Sequence, residues 1–250
     1  MEIFAIGFLF VVGMVFGSFF NVVGLRLPKG IPFSNDRSIC PVCRHQLSWY
    51  ELIPVVSYLI QGGKCRHCAE KISFIYPFME LLTGFLFSYS YVQLGFTLEL
   101  IKALLLISLS MILVVSDIKY MIIPNKVLLF FLPFFIVLNI FRPIEPWWSP
   151  IAGAVVGFSM IALIIIVSRG GMGAGDMKLF GLLGLVLGLP KVLLTFFIAC
   201  LLGSVFGIFF MLIGIIKRKQ PVPFGPYIII ATLITYFFSD PILHFYFSLI

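Results

Sequence analysis

Two carboxylates stand out in a chain of 250 residues that carries only ten acidic ones. Asp117 follows the apolar run Leu98 to Ser116, and Asp176 closes the stretch Gly173-Ala174-Gly175-Asp176 ahead of the run Met177 to Leu189. A third, Glu80, lies just inside another run, after Tyr76-Pro77. Carboxylates at such positions are costly unless they face a cavity or a partner, so each is a functional candidate. Two brought close together cannot both ionise readily; one keeps its proton and the pair titrates as a unit. That arrangement suits peptide hydrolysis, because the ionised member can take a proton from water while the protonated member polarises the scissile carbonyl and then supports the leaving amine.

Around Asp176, Gly173 and Gly175 are expected to let the backbone leave the helix and to admit a substrate strand. Lys178 would orient Asp176 or meet lipid phosphate, and Glu80 would hydrogen-bond into the active cavity or satisfy a neighbouring helix. The plainer reading makes Asp117 a helix-end residue beside Lys119 and Asp176 the N-cap of the next helix.

The other chemistry-bearing set is Cys40-Pro41-Val42-Cys43 and Cys65-Arg66-His67-Cys68, two CxxC pairs separated by 21 residues. Four thiolates so spaced can surround one tetrahedral zinc, and a closed four-sulfur shell is structural. Disulfides or redox activity are the competing readings, and disulfides fit poorly in a reducing compartment. His45 and His67 are spare ligands at best, and Cys200 sits alone in an apolar run.

These residues must be positioned by membrane helices. The chain is 61% hydrophobic and 11% charged, with a mean hydropathy of +1.16, too little polar surface to clothe a soluble globule. Lipid cannot satisfy backbone amides, so helices are expected. Ile3 to Leu25 reads as a retained first helix, since it follows Glu2 instead of a basic segment and exceeds the length of a signal-peptide core. The other runs are about Phe74 to Leu94, Leu98 to Ser116, Met121 to Phe141, Ile151 to Ser168, Met177 to Leu189, Val192 to Ile216 and Tyr227 to Phe247. With the first, they predict an all-α polytopic membrane protein with about eight transmembrane helices.

The polar interval 26–73 between the first two helices would be a small zinc-binding loop, leaving 1–25 as the first helix and 74–250 as a seven-helix membrane domain. Alternate loops then collect 14 of the 17 Lys and Arg residues: those in 26–71, Lys119, Lys126, Arg169, Lys178 and 217–219. Only Lys102, Arg142 and Lys191 fall opposite. The positive-inside rule assigns the basic side to the cytoplasm, with Asp117 and Asp176 on that side and both termini outside. The net charge of +7 is spread over several short loops, so it argues for topology and not for nucleic-acid binding. Gly13 with Gly17, Gly153 with Gly157 and Gly203 with Gly207 predict close helix packing.

Gly171-Met172-Gly173-Ala174-Gly175 lacks the preceding strand and βαβ unit of a dinucleotide-binding loop, and no Gly-Lys-Ser/Thr follows. Patterning alone favours an enzyme over a transporter using its acids as proton or cation carriers, or a scaffold docking partners through the zinc loop.

Taken in order and spacing, the motifs resemble the bacterial type IV prepilin peptidases, the prepilin leader peptidase/N-methyltransferases. The match runs through Gly17-Ser18-Phe19 with Asn21, Arg26-Leu27-Pro28, both CxxC pairs, Ile53-Pro54 with Ser57-Tyr58, and Tyr76-Pro77 with Glu80. It continues through Asp117, Ile123-Pro124-Asn125, Gly173-Ala174-Gly175-Asp176 with Lys178, and Pro223-Phe224-Gly225-Pro226. The resemblance implies an eight-helix aspartic peptidase of the GxGD type in the bacterial cytoplasmic membrane, with Asp117 and Asp176 as its catalytic carboxylates. Its substrates would be prepilins and pseudopilins, cut at the cytoplasmic face. The resemblance also implies methylation of the new N-terminal amine with S-adenosylmethionine as donor, an activity associated with the 26–73 loop.

Overall fold

The computed structural model describes residues 2–31, 38–169, 171–214 and 222–248; the basic cluster 217–219 lies outside the described residues. Among these residues the protein is all-helical, with two isolated β-bridges and no strand.

Among the described residues one helix overlaps each of the eight apolar runs: α1 (Glu2–Arg26), α3 (Ile75–Leu94), α4 (Leu98–Tyr120), α5 (Asn125–Phe141), α6 (Ser149–Val167), α7 (Ala174–Leu187), α8 (Leu189–Leu212) and α9 (Gly225–Ser248). The short α2 (Val56–Ile60) and two 3-10 helices, Leu27–Lys29 and Trp49–Leu52, lie between α1 and α3. Five of the described helices, α1, α4, α6, α8 and α9, are long and apolar enough to cross a membrane. Together with the family relationship reported below, they make this a multi-pass membrane protein. At 14 residues, α7 is only about 21 Å long, short of the roughly 30 Å of hydrocarbon.

The chain forms two compact units, Met1–Val115 and Ser116–Ile250. In the first, α1 packs along α3 through the glycines singled out in the sequence. A Cβ on Gly13 would stand 2.7 Å from the Gly84 Cα, and one on Gly17 would stand 2.9 Å from the Glu80 Cα. With little hydrophobic drive between helices in lipid, this close backbone approach is what brings dispersion contacts into range.

In the second unit α6 packs on α7 in the same way. A Cβ on Gly153 would meet the Gly184 carbonyl oxygen at 2.6 Å, and one on Gly157 the Phe180 carbonyl at 2.6 Å. The third pair behaves differently. A Cβ on Gly203 would meet the Phe224 ring, and among the described residues one on Gly207 would meet no neighbouring segment within 4 Å, so that spacing does not mark a close helix crossing.

The interval 38–72 is built from two equivalent knuckles. Cys40 donates its backbone N–H to the His45 carbonyl and Arg44 donates to the Cys40 carbonyl, as Cys65 does to Glu70 and Ala69 to Cys65. Arg44 and Ala69 take matching left-handed conformations, both at φ 57°. Repetition of one tight turn explains how two short, distant motifs present their sulfurs alike.

Candidate functional site

Asp117 lies on the last turn of α4, which runs to Tyr120, beyond the boundary expected at Ser116. The helix continues because nothing interrupts it until Met121, which adopts φ 53°, and Pro124, which opens α5. Ser116 donates its hydroxyl to the Ile122 carbonyl at 2.6 Å and so ties down this exit. The Asp117 carboxylate is buried, and its Oδ2 accepts the Gly225 backbone N–H at 2.8 Å. Gly225 is the first residue of α9, so its N–H is one of the amides a helix start leaves without an internal partner.

Asp176 is placed by the same device. Gly173 is the N-cap of α7, and Asp176, three residues on, reaches back so that its Oδ2 accepts the Gly173 N–H at 3.1 Å. The aspartate therefore caps α7 from the first turn and is not itself the N-cap. Each buried carboxylate thus meets a backbone donor and the positive end of a helix dipole, which helps a low-dielectric site hold negative charge. The second oxygen of each, Oδ1, meets no protein donor among the described residues, leaving it for water or substrate.

Both side chains line one cavity of about 830 Å³, together with Ile123, the 171–176 turn, Phe196 and Phe224. They are close enough to interact electrostatically. The 108-residue separation between Asp117 and Gly225 shows that the pairing is purely tertiary.

The glycines act through space more than through backbone freedom. Gly173 has an ordinary φ of −77°, but a Cβ there would stand 3.2 Å from the Asp176 Oδ2. On Gly175 a Cβ would stand 2.9 Å from that of Ile123. Gly225 is the sharpest case, because its Cβ would meet the Asp117 Oδ2 at 2.6 Å. Its role escaped sequence reasoning: Pro223-Phe224-Gly225-Pro226 stood out as a motif, yet nothing local links it to a carboxylate more than a hundred residues away.

Lys178 lines the same cavity, but its Nζ donates to the Asn125 Oδ1 at 3.1 Å and not to Asp176. Glu80 belongs to the first unit. There its Oε2 accepts the Val55 N–H at 2.8 Å and its carboxylate also accepts from the Ser18 side chain. Val55 is a β-branched residue at φ 62°, a costly conformation that the Glu80 contact helps to hold.

The four cysteines converge. Cys40 and Cys68 place their sulfurs 3.7 Å apart, and Cys43 and Cys65 theirs 4.0 Å apart. All four sulfurs lie within 4.8 Å of one another, and all are free thiols. Zinc–sulfur bonds of about 2.3 Å in a tetrahedron give an edge of roughly 3.8 Å, so the donor set fits a four-coordinate ion. These separations are far too long for the roughly 2.05 Å of a disulfide. The cluster also distributes acidity unevenly. Backbone N–H groups of Cys43 and Val42 hold the Cys40 thiol down to about 7. The Glu70 N–H draws Cys68 down, yet burial and its three thiol neighbours outweigh it and push Cys68 up to about 12.

Helical architecture, a buried carboxylate pair in one cavity and a four-thiol centre define a multi-pass membrane protein with the makings of an aspartic hydrolase. Residues 11–94 match the bacterial peptidase A24 N-terminal domain and residues 104–208 the type IV leader peptidase family. The chain is 41% identical over 238 residues to a prepilin leader peptidase/N-methyltransferase of Bacillus subtilis, covering 95% of this chain and 96% of that protein. Proteins of the same description from Aeromonas salmonicida and Pseudomonas aeruginosa are 32% and 30% identical, over 99% and 94% of this chain and 94% and 90% of theirs. No solved structure matches. The chain belongs to the type IV leader peptidase family.

Proposed function

We infer that this protein removes the leader peptide from type IV prepilins and pseudopilins and N-methylates the residue exposed by the cut. Family membership supports both activities, and the observation that carries the peptidase mechanism is the shared cavity of Asp117 and Asp176. We assign these two as the catalytic carboxylates. In this mechanism the ionised aspartate takes a proton from the attacking water as its oxygen bonds to the scissile carbonyl carbon, while the protonated partner gives its proton to the carbonyl oxygen. Collapse of the tetrahedral intermediate breaks the C–N bond, and a proton passes to the leaving amine. The Gly225 and Gly173 N–H groups fix one oxygen of each carboxylate, so the other faces the reaction without reorganisation.

Gly173 and Gly175 serve this site by leaving room for the Asp176 carboxylate and for Ile123. Lys178 acts through Asn125 at the cavity rim, and Glu80 acts by fixing the strained Val55 turn. Cys40, Cys43, Cys65 and Cys68 hold one structural zinc that folds the 26–73 loop, the region we associate with methyl transfer. S-adenosylmethionine is the methyl-donor co-substrate. Residues 74–250 form the peptidase part.

The protein crosses the bacterial cytoplasmic membrane eight times, with its basic loops and both aspartates at the cytoplasmic side and its termini outside. The uneven distribution of Lys and Arg supports that orientation. The decisive test is mass spectrometry of a co-expressed prepilin with wild-type, Asp117→Asn and Asp176→Asn protein. Unprocessed precursor with both variants, and a shortened, methyl-bearing product with the wild type, is the expected result. Processing by either variant would remove the dyad from the mechanism.

A further inference from the structure

Beside the four-thiol centre, three side chains that the peptidase and methyltransferase readings leave unused come together. His45 lies two residues past Cys43, His67 lies between Cys65 and Cys68, and Glu51 lies on the 3-10 helix Trp49–Leu52. One ligand atom from each lies within 4.8 Å of the other two. The imidazole rings face one another, with centroids 3.4 Å apart and planes inclined by 34°.

Glu51 is the anomalous member. It is only 6% exposed, and its Oε2 accepts the Ser48 backbone N–H at 2.8 Å. Its other oxygen, Oε1, is buried with no hydrogen-bond partner among the described residues. Buried carboxylate oxygens ordinarily have a donor or a cation, because an unmet one carries its full desolvation cost. The 3-10 helix and its Ser48 contact hold this carboxylate inward, next to two imidazoles, so flexibility does not account for it.

We propose that His45, Glu51 and His67 form a second metal site, separate from the four-thiolate centre, for a divalent first-row cation of which zinc is the natural candidate. Two imidazoles and a carboxylate are a zinc donor set, and unlike four thiolates they leave a fourth position open. His67 is exposed, so that position faces solvent and its ligand can rotate to close the present spacing onto an ion. The metal supplies the charge that the Glu51 Oε1 lacks. Because His67 sits between two thiol ligands, the sites share the second knuckle, and the loop becomes a two-metal unit with one closed and one accessible ion.

The test uses full-length protein in detergent micelles, presented with excess zinc and then desalted. Zinc per chain is measured by mass spectrometry, and zinc-edge X-ray absorption reports the donor atoms. Wild type should hold two zinc ions per chain with mixed sulfur and nitrogen/oxygen donors, and H67A and E51Q should each hold one, with sulfur donors only. A single all-sulfur zinc in wild type would overturn the proposal, as would two ions retained in H67A. If a variant loses both ions through collapse of the loop, the wild-type absorption spectrum decides: sulfur alone refutes the second site and a mixed shell supports it.

Discussion

Replacing Gly225 by alanine isolates the contact that holds Asp117. The new methyl would stand 2.6 Å from the Asp117 Oδ2 and 2.9 Å from its Cγ, whereas ordinary van der Waals contact begins at 3.4 Å. Gly225 does not lie in the left-handed region that would strain alanine, so the perturbation is steric. Moving from 2.6 to 3.4 Å requires the carboxylate to retreat by about 0.8 Å, which stretches the 2.8 Å hydrogen bond from the Gly225 N–H beyond useful range. A hydrogen bond to a charged group contributes about 1.5–3 kcal/mol, and a 1 Å misplacement of a reacting group costs on the order of 100-fold in rate. At about 1.4 kcal/mol per decade, both routes give a roughly 10- to 100-fold fall in kcat. The assay is cleavage of a purified prepilin in proteoliposomes, with membrane-inserted enzyme quantified in parallel. Gly207→Ala is the control, since among the described residues a Cβ there would meet no neighbouring segment within 4 Å, and should cleave at the wild-type rate. Gly225→Ala at full kcat would refute the claim that this amide positions Asp117 for catalysis.

Four further outcomes are expected. Gly184→Ala should weaken the second unit by about 1–3 kcal/mol, because its methyl would overlap the Gly153 backbone; thermal unfolding in detergent measures it, and an unchanged Tm would contradict the α6–α7 packing account. Gly175→Ala should lower cleavage by crowding Ile123, with activity partly recovered in the Gly175→Ala, Ile123→Val double variant. Stripping zinc with a chelator should abolish hydrogen-exchange protection across 38–72 while leaving α6 and α7 protected, and loss of protection throughout would contradict a local structural role. Lys178→Met, which removes the donor to Asn125 but keeps most of the side-chain volume, should change kcat by less than the roughly 10-fold effect that moving Asp117 brings, and complete inactivation would make Lys178 a direct participant.

The helices were legible because lipid leaves backbone amides no partner but the helix itself, so apolar runs such as those from Ile3 to Phe247 fold as helices, five of them long and apolar enough to cross a membrane. The thiol centre was legible for a related reason: a CxxC pair encodes its own tight turn, and two such turns leave little choice about which ligands meet. The aspartates could be picked out as expensive charges beside apolar runs. Their partners could not. That Asp117 would meet the Gly225 amide, that Gly175 is small to admit Ile123, and that Glu80 would be occupied by Val55 depend on contacts between segments far apart in the chain, which periodicity does not record. The glycines show the difference most plainly. As sequence, Gly173 and Gly175 suggested backbone freedom, and only the packed chain reveals that at these two positions and at Gly225 a side-chain carbon would crowd a carboxylate oxygen or the Ile123 side chain. Composition and local spacing determined that this chain lives in a membrane, carries four cysteines spaced to converge as one donor set, and carries two costly carboxylates. Tertiary structure decided which amides hold those carboxylates and which buried oxygen of Glu51 has no hydrogen-bond partner among the described residues, because such contacts are settled by packing and not by neighbours in sequence.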